Sequence, residues 1–293
     1  MKEKKLTILT PTYNRRSCLD ELFASLIDQT SQNFQWIIID DGSKDETREW
    51  FDKLPGTNFQ KVYLYKENGG KHKALNFSHP YILGDYVMVV DSDDLLPNDA
   101  VQTILEYWDK YDKMDDVSGI TFLRGKKSGE DYTSFGQKEL LSNVIVECNG
   151  GLKGEFVETV RKKYFLENPF PEFEGEKYFP ESWLWVKIGE HLKTVYVRKV
   201  VYIFEYLNDG LTRNGRKLRL QSPRGCACAA NLMTSNKFSL SIRCKKELLY
   251  IGYLLYAKAP LSEIVFGSNS KALTCVLLPA GFIIKTWWKI RYK

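Results

Sequence analysis

The chain of 293 residues is 43% hydrophobic and 27% charged, a globular balance with room for one large domain or one domain plus an appendage. A net charge of +5 and a pI near 8.7 are too diffuse to mark a nucleic-acid binder, and leave anionic substrates or an anionic membrane face as partners. Only Cys226 and Cys228 stand close among the six cysteines, at no zinc or redox spacing, and the charged start lacks the apolar run of a signal peptide, so a cytosolic protein with buried, reduced thiols is expected.

Leu6-Thr7-Ile8-Leu9 predicts a first strand, which Pro11 ends because proline cannot donate to a central ladder. Leu19, Leu22, Phe23 and Leu26 then recur at helical spacing. Trp36-Ile37-Ile38-Ile39 predicts a second strand, and it runs into Asp40-Asp41-Gly42-Ser43. Ser43 and Glu46 have the spacing of a capping box for the next helix. A strand end has no structural need for two carboxylates, so Asp40 or Asp41 is a candidate acceptor for a donor on a bound ring. Val62 to Tyr65 predicts a third strand. Gly69, Gly70 and Lys71 then precede a helix through Ala74 and Leu75, a setting that can cradle phosphate, although a plain turn with solvated lysines explains it equally well. No P-loop or dinucleotide fingerprint is present.

The fourth strand carries the strongest signal. Val87-Met88-Val89-Val90 is short, β-branched and without helical period, as in a buried parallel strand, and it ends in Asp91-Ser92-Asp93-Asp94. Ligands of open α/β sheets bind beyond the carboxyl ends of the strands. Three acids gathered there repel one another unless a cation sits among them, and oxygen ligands suit Mg²⁺ or Mn²⁺. A cap for the helix predicted to start at Pro97 accounts for one acid but not for three. Strand-helix alternation to about Lys113 predicts a doubly wound α/β half.

Beyond that half the rhythm changes. Val117 to Leu123 predicts a strand, Gly125 to Gly136 a loop, Val144 to Val146 a short β segment, and Gly154 to Tyr164 a helix. Phe170 to Ser182 mixes aromatics, acids and prolines, a composition that stacks on sugar rings or packs a core. A helix follows from Trp183, with Glu181 at its N-terminal edge, where favouring the helix dipole is the plainer role. Val195 to Tyr206 predicts a strand, Leu207 to Arg219 a basic loop that includes Arg213, and Pro223 to Ala257 a helical region. Ala272 to Ile284 is apolar but shorter than the ~20 residues of a span. Trp287, Trp288 and the basic residues Lys285, Lys289, Arg291 and Lys293 beside it fit a segment lying on an anionic leaflet; a helix docked on the protein is the alternative.

Four segments, in this order and each after a predicted strand, resemble the inverting family 2 glycosyltransferases of the GT-A fold. They are Thr10-Pro11-Thr12-Tyr13-Asn14-Arg15, Asp40-Asp41-Gly42-Ser43-Lys44-Asp45-Glu46-Thr47, Asn68-Gly69-Gly70 through Ala74-Leu75-Asn76, and Asp91-Ser92-Asp93-Asp94. The resemblance implies an α/β GT-A catalytic domain over residues 1–220, with a Rossmann-like, mostly parallel sheet and flanking helices. Residues 1–115 would bind the nucleotide sugar and 116–220 the acceptor. A C-terminal helical extension, 221–293, would end in an interfacial membrane tail, 272–293.

The same resemblance implies a nucleotide-sugar donor, UDP-linked, and an acceptor hydroxyl on a saccharide or lipid-linked saccharide in surface polysaccharide synthesis. The enzyme would lie in the cytoplasm, peripheral on the inner face of the membrane. Pro11, Thr12 and Tyr13 would flank the nucleoside, Arg15, Gly70, Lys71 and Ser92 would contact the donor, Asp41 would accept from the base, and Asp91 would lie toward the ribose. Asp93 or Asp94 would hold Mn²⁺ or Mg²⁺. The family's base is the aspartate of a Glu-Asp pair ahead of Leu-Trp. Here Leu184-Trp185 follows Pro180-Glu181, so Glu181 takes the base position, with Glu174 or Glu176 as alternatives. Two rival readings are a nucleotide-sugar binder without catalysis and a phosphatase of the haloacid dehalogenase type, whose similar acidic motif follows the first strand.

Overall fold

The computed structural model describes residues 5–127, 136–204 and 215–292. In chain order the elements begin with β1 (Leu6–Thr12), α1 (Leu19–Ile27), β2 (Phe34–Asp40), α2 (Thr47–Asp52), β3 (Gln60–Tyr65), α3 (Lys71–Ser78), β4 (Tyr86–Val89) and α4 (Ala100–Tyr111). Then come β5 (Val117–Lys126), β6 (Glu139–Ser142), α5 (Val144–Gly150), β7 (Phe156–Arg161), α6 (Lys162–Glu167), α7 (Ser182–Ile188) and β8 (Lys193–Phe204). The C-terminal helices are α8 (Gly215–Gln221), α9 (Pro223–Leu232), α10 (Leu240–Tyr256), α11 (Leu261–Gly267) and α12 (Lys271–Arg291).

The eight strands form one sheet in the order β3-β2-β1-β4-β7-β5-β8-β6. The first four strands are mutually parallel, β7 runs antiparallel between β4 and β5, and β8 returns parallel to β5. Every residue of β1 and β2 is buried, because helices cover both faces. Alternate side chains serve the two layers. Ile8, Trp36, Ile38 and Met88 pack with Leu22, Ile104 and Trp108 of α1 and α4. Leu9, Ile37, Ile39 and Val87 pack with Leu75, Phe165 and Leu184 of α3, α6 and α7. The acidic run follows the fourth strand in a sheet of this order, not the first strand as in the phosphatase reading.

Several expectations are corrected. β1 continues through Pro11 to Thr12. Leu9 faces β4, where its carbonyl accepts from Val90, and Pro11, two residues on, faces the same side. β4 has ended there, so the missing N–H breaks no ladder bond. Val144 to Val146 is helical, not β: Asn143 accepts from the Ile145 amide at 2.8 Å, and Gly151 stops α5 in the left-handed region. Residues 154–164 hold β7 and the start of α6 instead of one helix, because Val157 and Thr159 face one layer and Glu158 and Val160 the other. α4 starts at Ala100, after Pro97 has turned the chain. Ser43 and Glu46 make no capping box; Asp45 accepts from Thr47 instead. Gly215 to Arg219 lies in α8, while Arg213 and residues 128–135 and 205–214 lie outside the described residues. The described cysteines are all free; Cys226 is buried, but Cys275 is exposed.

The C-terminal helices build their own core around Tyr250, Ile251, Leu254 and Trp288. α12 is one continuous helix of 21 residues, running through Pro279. By length and composition it can cross a membrane, where the sequence predicted too short a run. Gly281 lets it approach α10: a Cβ there would lie 2.2 Å from Ile251.

Candidate active site

The chain ends of β1, β2 and β4 and the starts of α3 and α7 converge at one edge of the sheet. Pro11 and Thr12 finish β1 in buried positions, and the Thr12 Oγ1 is buried with no hydrogen-bond partner among the described residues. Tyr13 is half exposed. The loops after β1 and β2 are stitched together: the Asn14 amide donates to Ser43 Oγ at 2.9 Å, the Lys44 amide to Asn14 Oδ1 at 2.8 Å, and the Arg16 amide to Asp45 at 3.0 Å.

Asp41 faces inward. One oxygen accepts from Lys66 Nζ at 2.8 Å and the Gly69 amide at 2.9 Å; the other accepts from the Gly70 amide at 2.7 Å and Asn68 Nδ2 at 3.1 Å. Four donors occupy its lone pairs. Asp41 therefore shapes the glycine loop. Asp40 is likewise occupied, by the Ser43 amide at 2.7 Å and the Tyr63 hydroxyl. Gly70 sits at φ +99°, and a Cβ there would lie 1.9 Å from the Lys177 carbonyl oxygen. Only glycine fits, and the contact joins α3 to the loop that leads into α7.

Each acid of the 91–94 run meets a basic side chain. Lys71 Nζ lies 2.6 Å from Asp91 and 2.7 Å from Glu181. Arg15 lies 3.8 Å from Asp93, and Arg124 lies 2.9 Å from Asp94. The Tyr202 hydroxyl accepts from the Asp91 amide at 3.1 Å and donates to Asp94 at 2.5 Å. Burial opposes charge on Lys71, yet Asp91 and Glu181 hold its ammonium above the usual lysine range. Burial would raise Asp91, but Lys71 outweighs it and holds that carboxyl low. Burial pushes Asp94 up to about 6 against the pull of Tyr202. Ser92 is buried in the turn between them.

These residues fit a divalent cation, with one change from the expected set. Asp91 and Asp93 are partly exposed, and each has an oxygen to which no described group donates. Among the described residues no three His, Cys, Asp or Glu side chains gather as a closed cage. One or two carboxylates with room for phosphate oxygens is the donor set by which Mg²⁺ is commonly held. Asp94, expected beside Asp93 as a ligand, is buried against Tyr202 and Arg124.

Glu181 is the N-cap residue of α7 but its side chain caps nothing; it turns to Lys71 instead. Glu176 accepts from the Arg224 and Gly225 amides at 2.8 and 2.7 Å and so holds the start of α9. Glu174 is exposed, and no described hydrogen bond or ion pair joins it to the group. Sequence reasoning missed Arg124, Tyr202 and Glu158. Glu158 faces the α7 side from β7 and lines a cavity of about 20 Å³ with Thr121, Thr194 and Trp185. Burial, then the charge of Glu181, pushes its carboxyl up to about 8. Alternation of Val157 and Thr159 with Glu158 and Val160 was the available signal for this strand.

The family model for glycosyl transferase family 2 matches residues 7–149. The GalNAc(5)-diNAcBac-PP-undecaprenol β-1,3-glucosyltransferase of Campylobacter jejuni is 28% identical over 228 residues, covering 73% of this chain and 69% of that one. Residues 1–349 of S. aureus TarS superpose with a TM-score of 0.62 at 16% identity, over 98% of this chain and 89% of that one. The mannosyltransferase PcManGT of Pyrobaculum calidifontis, solved with GDP-Man and Mn²⁺, gives 0.58 at 16% identity, over 100% and 89%. Several other curated relatives are much longer proteins, of which the chain spans a quarter or less. The matched segment contains the strand-end loops and the acidic run described above, and on that ground residues 7–149 form a glycosyltransferase family 2 domain, in a chain that has the GT-A fold.

Proposed function

We propose that the chain is an inverting glycosyltransferase that moves a sugar from a nucleotide sugar, UDP-linked, to a hydroxyl of a saccharide or lipid-linked saccharide in surface polysaccharide synthesis. One observation carries this reading: a single ammonium, Lys71 Nζ, touches Asp91 and Glu181 at 2.6 and 2.7 Å, so a donor-side acid and the candidate base share one site. The unpartnered Thr12 hydroxyl supports a ligand at the end of β1. TarS has been solved with UDP and with UDP-GlcNAc, and the name of the Campylobacter relative specifies a lipid-linked acceptor.

In this reading Pro11, Thr12 and Tyr13 flank the nucleoside, while Arg15, Gly70, Lys71 and Ser92 surround the diphosphate. Asp93, with Asp91 beside it, holds Mn²⁺ or Mg²⁺, and Asp94 anchors the turn. The bound cation supplies Lewis-acid stabilisation of the charge on the departing diphosphate. Glu181 takes the proton of the acceptor hydroxyl as that oxygen attacks the anomeric carbon from the face opposite the diphosphate. The new C–O bond forms as the old one breaks, its electron pair leaves with the diphosphate, and the configuration inverts.

The membrane tail belongs to the same proposal. α12 buries Thr274, Gly281 and Trp288 against the protein. Its outward side carries Val276, Ile283 and Ile290, which are 74%, 71% and 73% exposed, together with Trp287. Lys285, Lys289 and Arg291 cluster at its end. A helix docked on one side and apolar on the other suits the interface of an anionic leaflet, on the inner face of the cell membrane.

The test is slow hydrolysis of a panel of UDP-sugars in Mn²⁺. Glu181→Gln is expected to lower the rate on the preferred sugar by about 10² or more while UDP still binds. An unchanged rate in that variant refutes the base assignment.

A further inference from the structure

Lys71 is better placed than a phosphate-binding lysine needs to be. Its backbone is fixed from both sides: Asp41 holds the preceding Gly70 amide, and the Lys177 carbonyl leaves no room at Gly70 for movement or a side chain. The long side chain is the part that can move. Its ammonium has three donors, and Asp91 and Glu181 take two of them. The Asp91 backbone is held in place, because its amide donates to Tyr202, Tyr202 donates to Asp94, and Asp94 is paired with Arg124.

The charges are already matched. Asp91, Asp93 and Asp94 each face a cation of the chain, Lys71, Arg15 and Arg124. A divalent ion approaching Asp91 meets an ammonium 2.6 Å from that carboxylate, in a partly buried site where screening is weak. A diphosphate changes this balance, since it adds negative charge and offers the ammonium a new acceptor.

We infer that Lys71 couples metal entry to diphosphate binding: its ammonium and the divalent cation are alternative partners of Asp91, and the exchange is favourable when a diphosphate takes the ammonium up. The inference rests on the donor-site reading above. Lys71 is then a positioning residue.

The experiment is Mn²⁺ binding to the full chain, read by the electron paramagnetic resonance of free Mn²⁺, without nucleotide and at saturating UDP. Without nucleotide, K71M is expected to bind Mn²⁺ about tenfold or more tighter than wild type, so that UDP improves its binding by a correspondingly smaller factor. K71R, which keeps the charge, is expected to stay weak, and K71Q replaces K71M if that variant does not fold. If wild type binds Mn²⁺ with UDP but K71M gains nothing in its absence, this inference is overturned alone. If wild type binds neither UDP nor Mn²⁺ under any condition, the donor-site reading falls and takes the inference with it.

Discussion

Glu158 shows how a single side chain reports on its neighbours. Its folded-state value, about 8, lies above the ordinary 4.5, so its contribution to stability is full below about pH 4.5 and is lost as pH rises through 8. Glu158→Gln cannot ionise. It is expected to raise the melting temperature relative to wild type at pH 9 and to change it little at pH 5; equal shifts at both would contradict the assignment. Asp41 and Asp93 part in the same way. Asp41→Asn weakens a four-donor cluster and is expected to cost about 2 kcal/mol or more of unfolding free energy. Asp93→Asn loses an ion pair of 3.8 Å at a partly exposed position, which is worth less than about 1 kcal/mol, and its effect should fall on activity instead. The sequence spacing brought Asp91, Asp93, Lys71 and Glu181 into view as acids and a base near strand and helix ends. It could not tell outward from inward carboxylates, because Asp41 and Asp94 owe their orientation to Lys66, Asn68, Arg124 and Tyr202, two of them far along the chain.

Among the elements, the parallel strands β1, β2 and β4 were legible because each is an apolar run covered on both faces, and β3, at the sheet edge, through its shorter run Val62 to Tyr65. The mixed part was less so. β7 owes its place to antiparallel neighbours on both sides, which local pattern does not encode. Val144 to Val146 has β-branched residues, yet a cap at Asn143 and a stop at Gly151 set a helix. α3 is the seam between the two parts. Asn76 donates to the Phe170 carbonyl at 2.8 Å and accepts from its amide at 2.9 Å, and Gly70 touches Lys177. Gly70→Ala adds a clash to a left-handed backbone and is expected to cost about 1–3 kcal/mol by thermal or urea unfolding. A neutral change would mean that the seam is loose.

At the scale of the whole molecule, a sheet that ends in a charged, loop-lined site is joined to a helical bundle whose last helix shows an apolar flank outward. Removing α12 would strip the cover from Tyr250, Ile251 and Leu254, so outward substitutions are the cleaner test of its role. The triple variant V276E, I283E, I290E is expected to lose co-sedimentation with vesicles of anionic lipid while its melting temperature stays near that of wild type. Retained co-sedimentation would rule out this flank as the anchor.

The central claim is that the strand ends and the Asp91–Asp93 pair receive a nucleoside diphosphate together with a divalent cation. Thermal unfolding in Mn²⁺ with UDP or UMP tests it most directly. UDP is expected to raise the melting temperature clearly more than UMP, and Asp93→Asn to abolish that difference. Equal stabilisation by UMP and UDP, or none by either, would contradict the account.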